Sequence, residues 1–198
     1  LGANRYGKAG IHLATVVRGD DRHEFSAREI EVRLEGDFED VHTQGDNATV
    51  LPTATMRSSA CALAFEHPAE ALERFALRYT KYLLHASPAA SRAEAWMTER
   101  PWERLVVDGE PHPHAFTRGA FRWTTHVVRD RNEVRVSGGL DELYLLKTTG
   151  SAFTGFLKDR FTVLPETDDR ILATELDARW RYAGTRLDFA AEREVVDR

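Results

Sequence analysis

Hydrophobic and polar residues alternate twice near the start of the chain, from Ile11 to Val17 and from Glu29 to Glu35. The second run is the cleaner: Ile30, Val32 and Leu34 alternate with Glu29, Glu31, Arg33 and Glu35, as a strand with one wet face requires. "RGDDR" at residues 18–22 lies between the runs and has the glycine and aspartates of a hairpin turn, so the strands are expected to pair antiparallel. The period then lengthens. After the polar loop "HTQGDNATVLP", mixed small residues from about Thr53 to Glu66 predict a helix, and Pro68 is expected to open another. In that second helix Leu72, Phe75, Ala76, Tyr79 and Leu83 fall on one apolar stripe, while Glu73, Arg74 and Lys81 form the wet face. The stripe reads as core.

Two further strand pairs are expected, one around Ala93 to Val107 and one joining Phe116–Val128 to Val134–Leu146 across the turn "RDRNE". The order is therefore β-β-α-α-β-β: an α+β unit with a four-stranded antiparallel sheet and both helices on one face. A stretch with little periodicity, "TTGSAFTGFLKDRFTVLPETDD", separates this unit from a strand in "ILATELDARWRY" and an amphipathic segment from about Phe189. The expected division is residues 1–148 for the first unit, and 149–198 for a junction and the start of an incomplete second one.

Composition removes several function classes. The 198 residues are 42% hydrophobic and 30% charged, as ordinary globular cores require. A net charge of −5 argues against nucleic acid as a partner, because phosphate binders concentrate Lys and Arg on one face. No apolar run is long enough to span a bilayer and no secretory leader is legible, so no membrane partner is expected. The single cysteine, Cys61, forms no internal disulfide, fits a reducing, cytoplasmic setting, and reads as a small core residue among apolar neighbours. His112 and His114 in "PHPH" have a spacing that suits two metal ligands, but no third ligand follows at a suitable interval; no metal is expected. Nucleophile-elbow, Walker and dinucleotide glycine patterns are missing. Lys8, between a glycine and a strand, reads as a solvated surface charge unless a proton-transfer partner lies elsewhere.

"NRYGKAGIHL", "LEGDFEDVHTQGDN", "PHPHAF", "LKTTGSAFTGF" and "LPETDDRILATELDARWRY" resemble the signature segments of the urate oxidases, or uricases. The resemblance runs the length of the chain. It implies tandem T-fold (tunnelling-fold) units that close into an oligomeric barrel, a homotetramer around a tunnel. It also implies cofactor-free oxidation of urate by O2 to 5-hydroxyisourate and hydrogen peroxide, with active sites shared between subunits. By the same resemblance Lys8 and Thr53 form a proton relay in hydrogen-bond contact. A lysine can accept a proton there only if partial burial away from carboxylates disfavours its charged form.

Phe153 matches the aromatic that stacks on the purine, and Arg170 the arginine whose planar fork grips an anionic heterocycle by two parallel bonds. Without the resemblance, Phe153 reads as a core residue and Arg170 as a surface cation paired with Asp168 or Asp169. Two positions depart from the family pattern: Ala54 stands where the family has aspartate, and Ser58 where it has asparagine. Further site residues of the family, a glutamine, an asparagine and a histidine, are expected beyond residue 198. These departures favour the alternative, a catalytically impaired purine-binding or structural T-fold subunit. A pterin-processing T-fold enzyme would suit the architecture but not the residue strings.

Overall fold

The two alternating runs fold into one long hairpin. β1 (Asn4–Arg18) and β2 (His23–Gly36) pair antiparallel, and the turn closes where the Gly19 amide donates to the Arg22 carbonyl at 3.1 Å. The computed structural model describes residues 4–196; residues 1–3 and 197–198, the outer ends of the two expected units, lie outside the described residues. A short helix that periodicity did not signal, α1 (Glu39–Thr43), leads into the polar loop and takes up its first two residues. α2 (Thr53–Glu66) begins at the expected residue, after Pro52 at φ −57°, whose carbonyl accepts the Met56 amide at 3.1 Å. Proline is suited to this place because its fixed φ costs nothing there.

α3 (Leu72–Ala86) starts later than Pro68. Residues 67–71 instead form a turn held by Glu70: its carboxylate takes two bonds from Arg78, and its carbonyl takes one from Arg28 at 2.5 Å. The apolar stripe of α3 is core, with Leu72, Phe75, Ala76, Tyr79 and Leu83 all 0% exposed. Each fully buried leucine or phenylalanine contributes roughly 1.5–3 kcal/mol relative to exposure. Opposite lie Ile30, Val32 and Leu34 of β2, with Ala93, Ala95 and Met97 of β3 (Ala90–Glu99).

The expected strand running on to Val107 breaks at Arg100–Pro101. Proline cannot donate to a ladder, and its carbonyl instead receives the Gly119 amide at 2.8 Å. β4 (Trp102–Val107) and β5 (Glu110–Arg118) leave as a separate two-stranded hairpin. The chain re-enters the main sheet at β6 (Arg122–Asp130), followed by β7 (Val134–Lys147) and β8 (Leu172–Arg181). The sheet has six antiparallel strands rather than four, in the order β1-β2-β3-β6-β7-β8, because the strand beyond the aperiodic stretch pairs directly with β7.

α4 (Phe189–Val196) docks on the helix side of the sheet. Its anchor corrects another expectation: Glu73, read as wet, is 1% exposed. Its carboxylate accepts bonds from Arg193 at 2.9 and 3.3 Å and from the Tyr182 hydroxyl at 3.1 Å. Among the described residues no helix is long and apolar enough to cross a membrane.

Candidate active site

Lys8 sits where β1 is shaped by its neighbours. Gly7 crosses β2 so closely that a Cβ there would lie 1.9 Å from the Val32 carbonyl oxygen, so no larger residue fits. Lys8 itself pairs with Val32, whose side chain is buried beneath the helices. Cross-strand partners share a face, so Lys8 points to the helix side. Directly afterwards the register slips between Lys8 and Ile11, with Gly10 at φ 65°, a left-handed conformation that glycine adopts without cost.

Thr53, at the first turn of α2, faces the same place. Lys8, Thr53, Ala54, Arg57, Ser58 and Cys61 line one open pocket of about 530 Å³. Among the described residues no hydrogen bond joins Lys8 to Thr53; both are exposed and share the pocket instead. The two positions that depart from the family pattern, Ala54 and Ser58, line it as well, and the Ser58 hydroxyl is turned back onto the Ala54 carbonyl at 3.1 Å. Sequence reading missed Arg57 and Cys61, although their spacing of four and eight residues from Thr53 puts all three on one helix stripe. Cys61 is exposed rather than core, because α2 has no clean apolar stripe and turns this position outward.

Phe153 and Arg170 come together at the other end of the molecule, in the segment between β7 and β8. Phe153 and Thr167 form an isolated bridge, with amide–carbonyl bonds of 2.8 and 3.2 Å. The Arg170 guanidinium lies over the Phe153 ring, 5.1 Å from its centroid, and Phe153 also stacks on Phe156 at 4.7 Å. Phe153 is therefore not a core residue, being 39% exposed. Among the described residues Arg170 forms no ion pair with Asp168 or Asp169; the Asp169 carboxylate receives the Thr149 hydroxyl at 2.8 Å and the Gly150 amide at 2.6 Å instead.

These bonds, the Thr149 hydroxyl first, hold the Asp169 carboxyl below the ordinary carboxylate range. A carboxyl depressed in the folded state contributes stability that is present above its unfolded pKa and is lost as pH falls through the folded one. The tie to Gly150 is expected to hold at neutral pH and to loosen only below the ordinary aspartate value of 3.8. Protection of the Gly150 amide relative to its intrinsic exchange rate at each pH, followed from about pH 6 downward, checks this; protection lost already near neutrality would contradict it.

The two halves of the candidate site do not meet within one chain. β1 and β8 are the opposite edges of the sheet. At about 4.8 Å per strand, the five spacings between them put the edges roughly 24 Å apart before twist is considered. His112 and His114 belong to neither half: they lie on β5, where the His114 amide donates to His112 Nδ1 at 3.3 Å. Among the described residues no group of three side chains is placed to hold a metal ion.

A family profile described as Uricase matches residues 4–123 and 136–198. The chain belongs to the uricase family. A curated uricase of Arthrobacter globiformis is 38% identical over 192 residues, covering 96% of this chain and 62% of its own length. Uricase-2 of Phaseolus vulgaris is 35% identical over 182 residues, covering 90% and 59%. The chain thus spans about three-fifths of the length of these curated relatives. The crystal structure of the Arthrobacter globiformis uricase superposes with a TM-score of 0.85 at 37% identity, over 100% of this chain and 67% of that one. Urate oxidase from Bacillus sp. TB-90 shares the fold, with a TM-score of 0.77 at 21% identity over 92% of this chain and 68% of its own. The α+β architecture, an antiparallel sheet backed by helices, is the T-fold.

Proposed function

We propose that this chain is the urate-oxidising part of a uricase, taking urate, O2 and water to 5-hydroxyisourate and hydrogen peroxide. The family match along the chain carries the reading. Urate needs no cofactor for this reaction, because its dianion is electron-rich enough to reduce dioxygen directly. The protein's part is to remove and place protons and to hold a flat anion. Lys8 and Thr53 share a pocket in which a hydroxyl can pass a proton between substrate and amine. Phe153 offers a ring face for stacking. Arg170 offers a planar fork that no carboxylate neutralises among the described residues, so it can turn from the Phe153 ring to the anionic edge of urate.

The sites are completed by a second copy, in a homotetrameric barrel in which the β1 pocket of one subunit faces the Phe153–Arg170 edge of another. Three observations support this. The halves are too far apart in one chain to grip one purine. Both outer strands leave open sheet edges, which seek partners. Large apolar side chains are bare around the β7–β8 end, among them Leu157 at 99%, Val163 at 95% and Tyr144 at 73% exposure. The partial burial expected of Lys8 also requires such a neighbour. β8 and α4 begin a second T-fold unit after residue 149, and the reaction belongs to the cytoplasm, where an exposed free thiol such as Cys61 stays reduced.

The ultraviolet absorbance of urate tests the chemistry. Loss of the band with one peroxide formed per urate is expected, whereas binding without loss would show a non-catalytic relative. The shared site is tested with the same assay by mixing Lys8→Ala and Arg170→Ala proteins, each inactive alone. Hybrid assemblies should regain part of the activity. If subunits exchange and none returns, the halves do not combine across an interface.

A further inference from the structure

We infer that Tyr6 is a positioning residue for the proposed relay, a clamp that sets the distance between Lys8 and Thr53. The inference rests on the oxidase reading for its kinetic consequence but not for its geometry. Tyr6 lies two residues before Lys8 on β1 and pairs with the buried Leu34, so it shares the helix-side face with Lys8. Its hydroxyl donates to the Leu51 carbonyl at 3.0 Å and accepts the Leu51 amide at 2.8 Å. One phenol oxygen thus satisfies both polar groups of a single backbone residue.

Leu51 is two residues before Thr53, and only Pro52, with its φ fixed, stands between them. The clamp therefore reaches Thr53 through a short, stiff link and reaches Lys8 through two residues of paired strand. Among the described residues these are the hydrogen bonds that join β1 to the segment entering α2. α2 is also tied from behind by α3, through the Tyr79 hydroxyl on the Met56 carbonyl at 2.5 Å and Arg78 on the Leu63 carbonyl at 2.7 Å and the Glu66 carboxylate at 3.2 Å.

The ring of Tyr6 is itself held. It meets Phe38 edge to face with centroids 4.8 Å apart, and burial raises its phenol above the ordinary range, so it remains a protonated donor at neutral pH. Tyr6→Phe would keep this ring contact and delete only the clamp. Placement matters here because proton transfer is steep in distance: a displacement of about 1 Å far from the chemistry can cost about 100-fold.

The test uses Tyr6→Phe in the full chain, with two readouts. Hydrogen exchange at Leu51 and over the first turn of α2 should quicken by about tenfold or more, while the core amides of α3 keep their protection. With urate, kcat should fall about 10- to 100-fold while KM, and urate binding measured without oxygen, stay within about threefold. In a Lys8→Met background the same substitution should cost less than about threefold, because a clamp acting through the relay has nothing left to position.

Unchanged exchange at Leu51 and at Met56, whose amide closes the first turn on the Pro52 carbonyl, would overturn the inference. So would unchanged kcat, or an equal loss with and without Lys8, which would mark Tyr6 as a merely structural residue. If the parent chain turns over no urate, the oxidase reading falls, and the exchange measurement alone decides whether Tyr6 fixes α2 to β1.

Discussion

Lys8→Met is expected to bind urate as the parent does and to turn it over about 10²- to 10⁴-fold more slowly, the range typical for loss of a general base. The substitution keeps the length and bulk of the side chain while removing the amine. Thr53→Val should cause a similar loss, since both line one pocket and serve one proton path. The double variant should be little worse than either single one, because members of one relay fail together. Ala54→Asp, which puts a carboxylate beside that path, should raise the rate if its absence limits the relay. Stopped-flow absorbance at saturating urate, with binding measured separately under nitrogen, separates these outcomes. Normal turnover in Lys8→Met would return this residue to an ordinary solvated cation.

Glu73→Ala is expected to be the most damaging single substitution to stability. It leaves Arg193, whose side chain is 13% exposed, and the Tyr182 hydroxyl without their shared acceptor. Breaking a buried ion pair from one side typically costs about 3–5 kcal/mol. For a chain of this size that corresponds to a fall of roughly 6–20 °C in Tm. The Tyr182 phenol, pushed up to about 12 chiefly by burial, remains a donor at neutral pH, so the loss is not masked by its ionisation. Replacing both partners together, as Glu73→Leu with Arg193→Met, should recover much of the deficit, because an apolar pair leaves no stranded charge. Urea unfolding checks both variants; a Glu73→Ala protein within about 1 kcal/mol of the parent would mean that α4 is held without this ion pair.

The elements legible from periodicity are those whose reasons are local. The hairpin of β1 and β2, the start of α2 at Thr53 and the stripe from Leu72 to Leu83 each follow from residues a few positions apart. What was missed depends on distant partners. Glu73 belongs to the polar side of its helix by spacing, and only Tyr182 and Arg193, more than a hundred residues later, allow it to be buried. Pro101 interrupts an alternation that otherwise reads straight on, and it sends β4 and β5 out of the sheet. Of the candidate site, the residue strings proposed Lys8, Thr53, Phe153 and Arg170. The contact between Phe153 and Arg170 lies in a segment with no period to read, and the clamp from Tyr6 to Leu51 joins a side chain to backbone, which residue patterns do not record.

The register slip after Lys8 has a consequence for how this strand is compared with others. Tyr6 and Lys8 face the helices from even positions, Ile11 and Leu13 from odd ones, so the parity of burial inverts across Ala9 and Gly10. An alignment that follows alternation alone from either side arrives one residue out of phase on the other. Correspondence with the lysine of a relative has to be counted through the bulge, and removing one residue there would leave Tyr6, Lys8, Ile11 and Leu13 in a single unbroken alternation, all still on the helix side of the sheet.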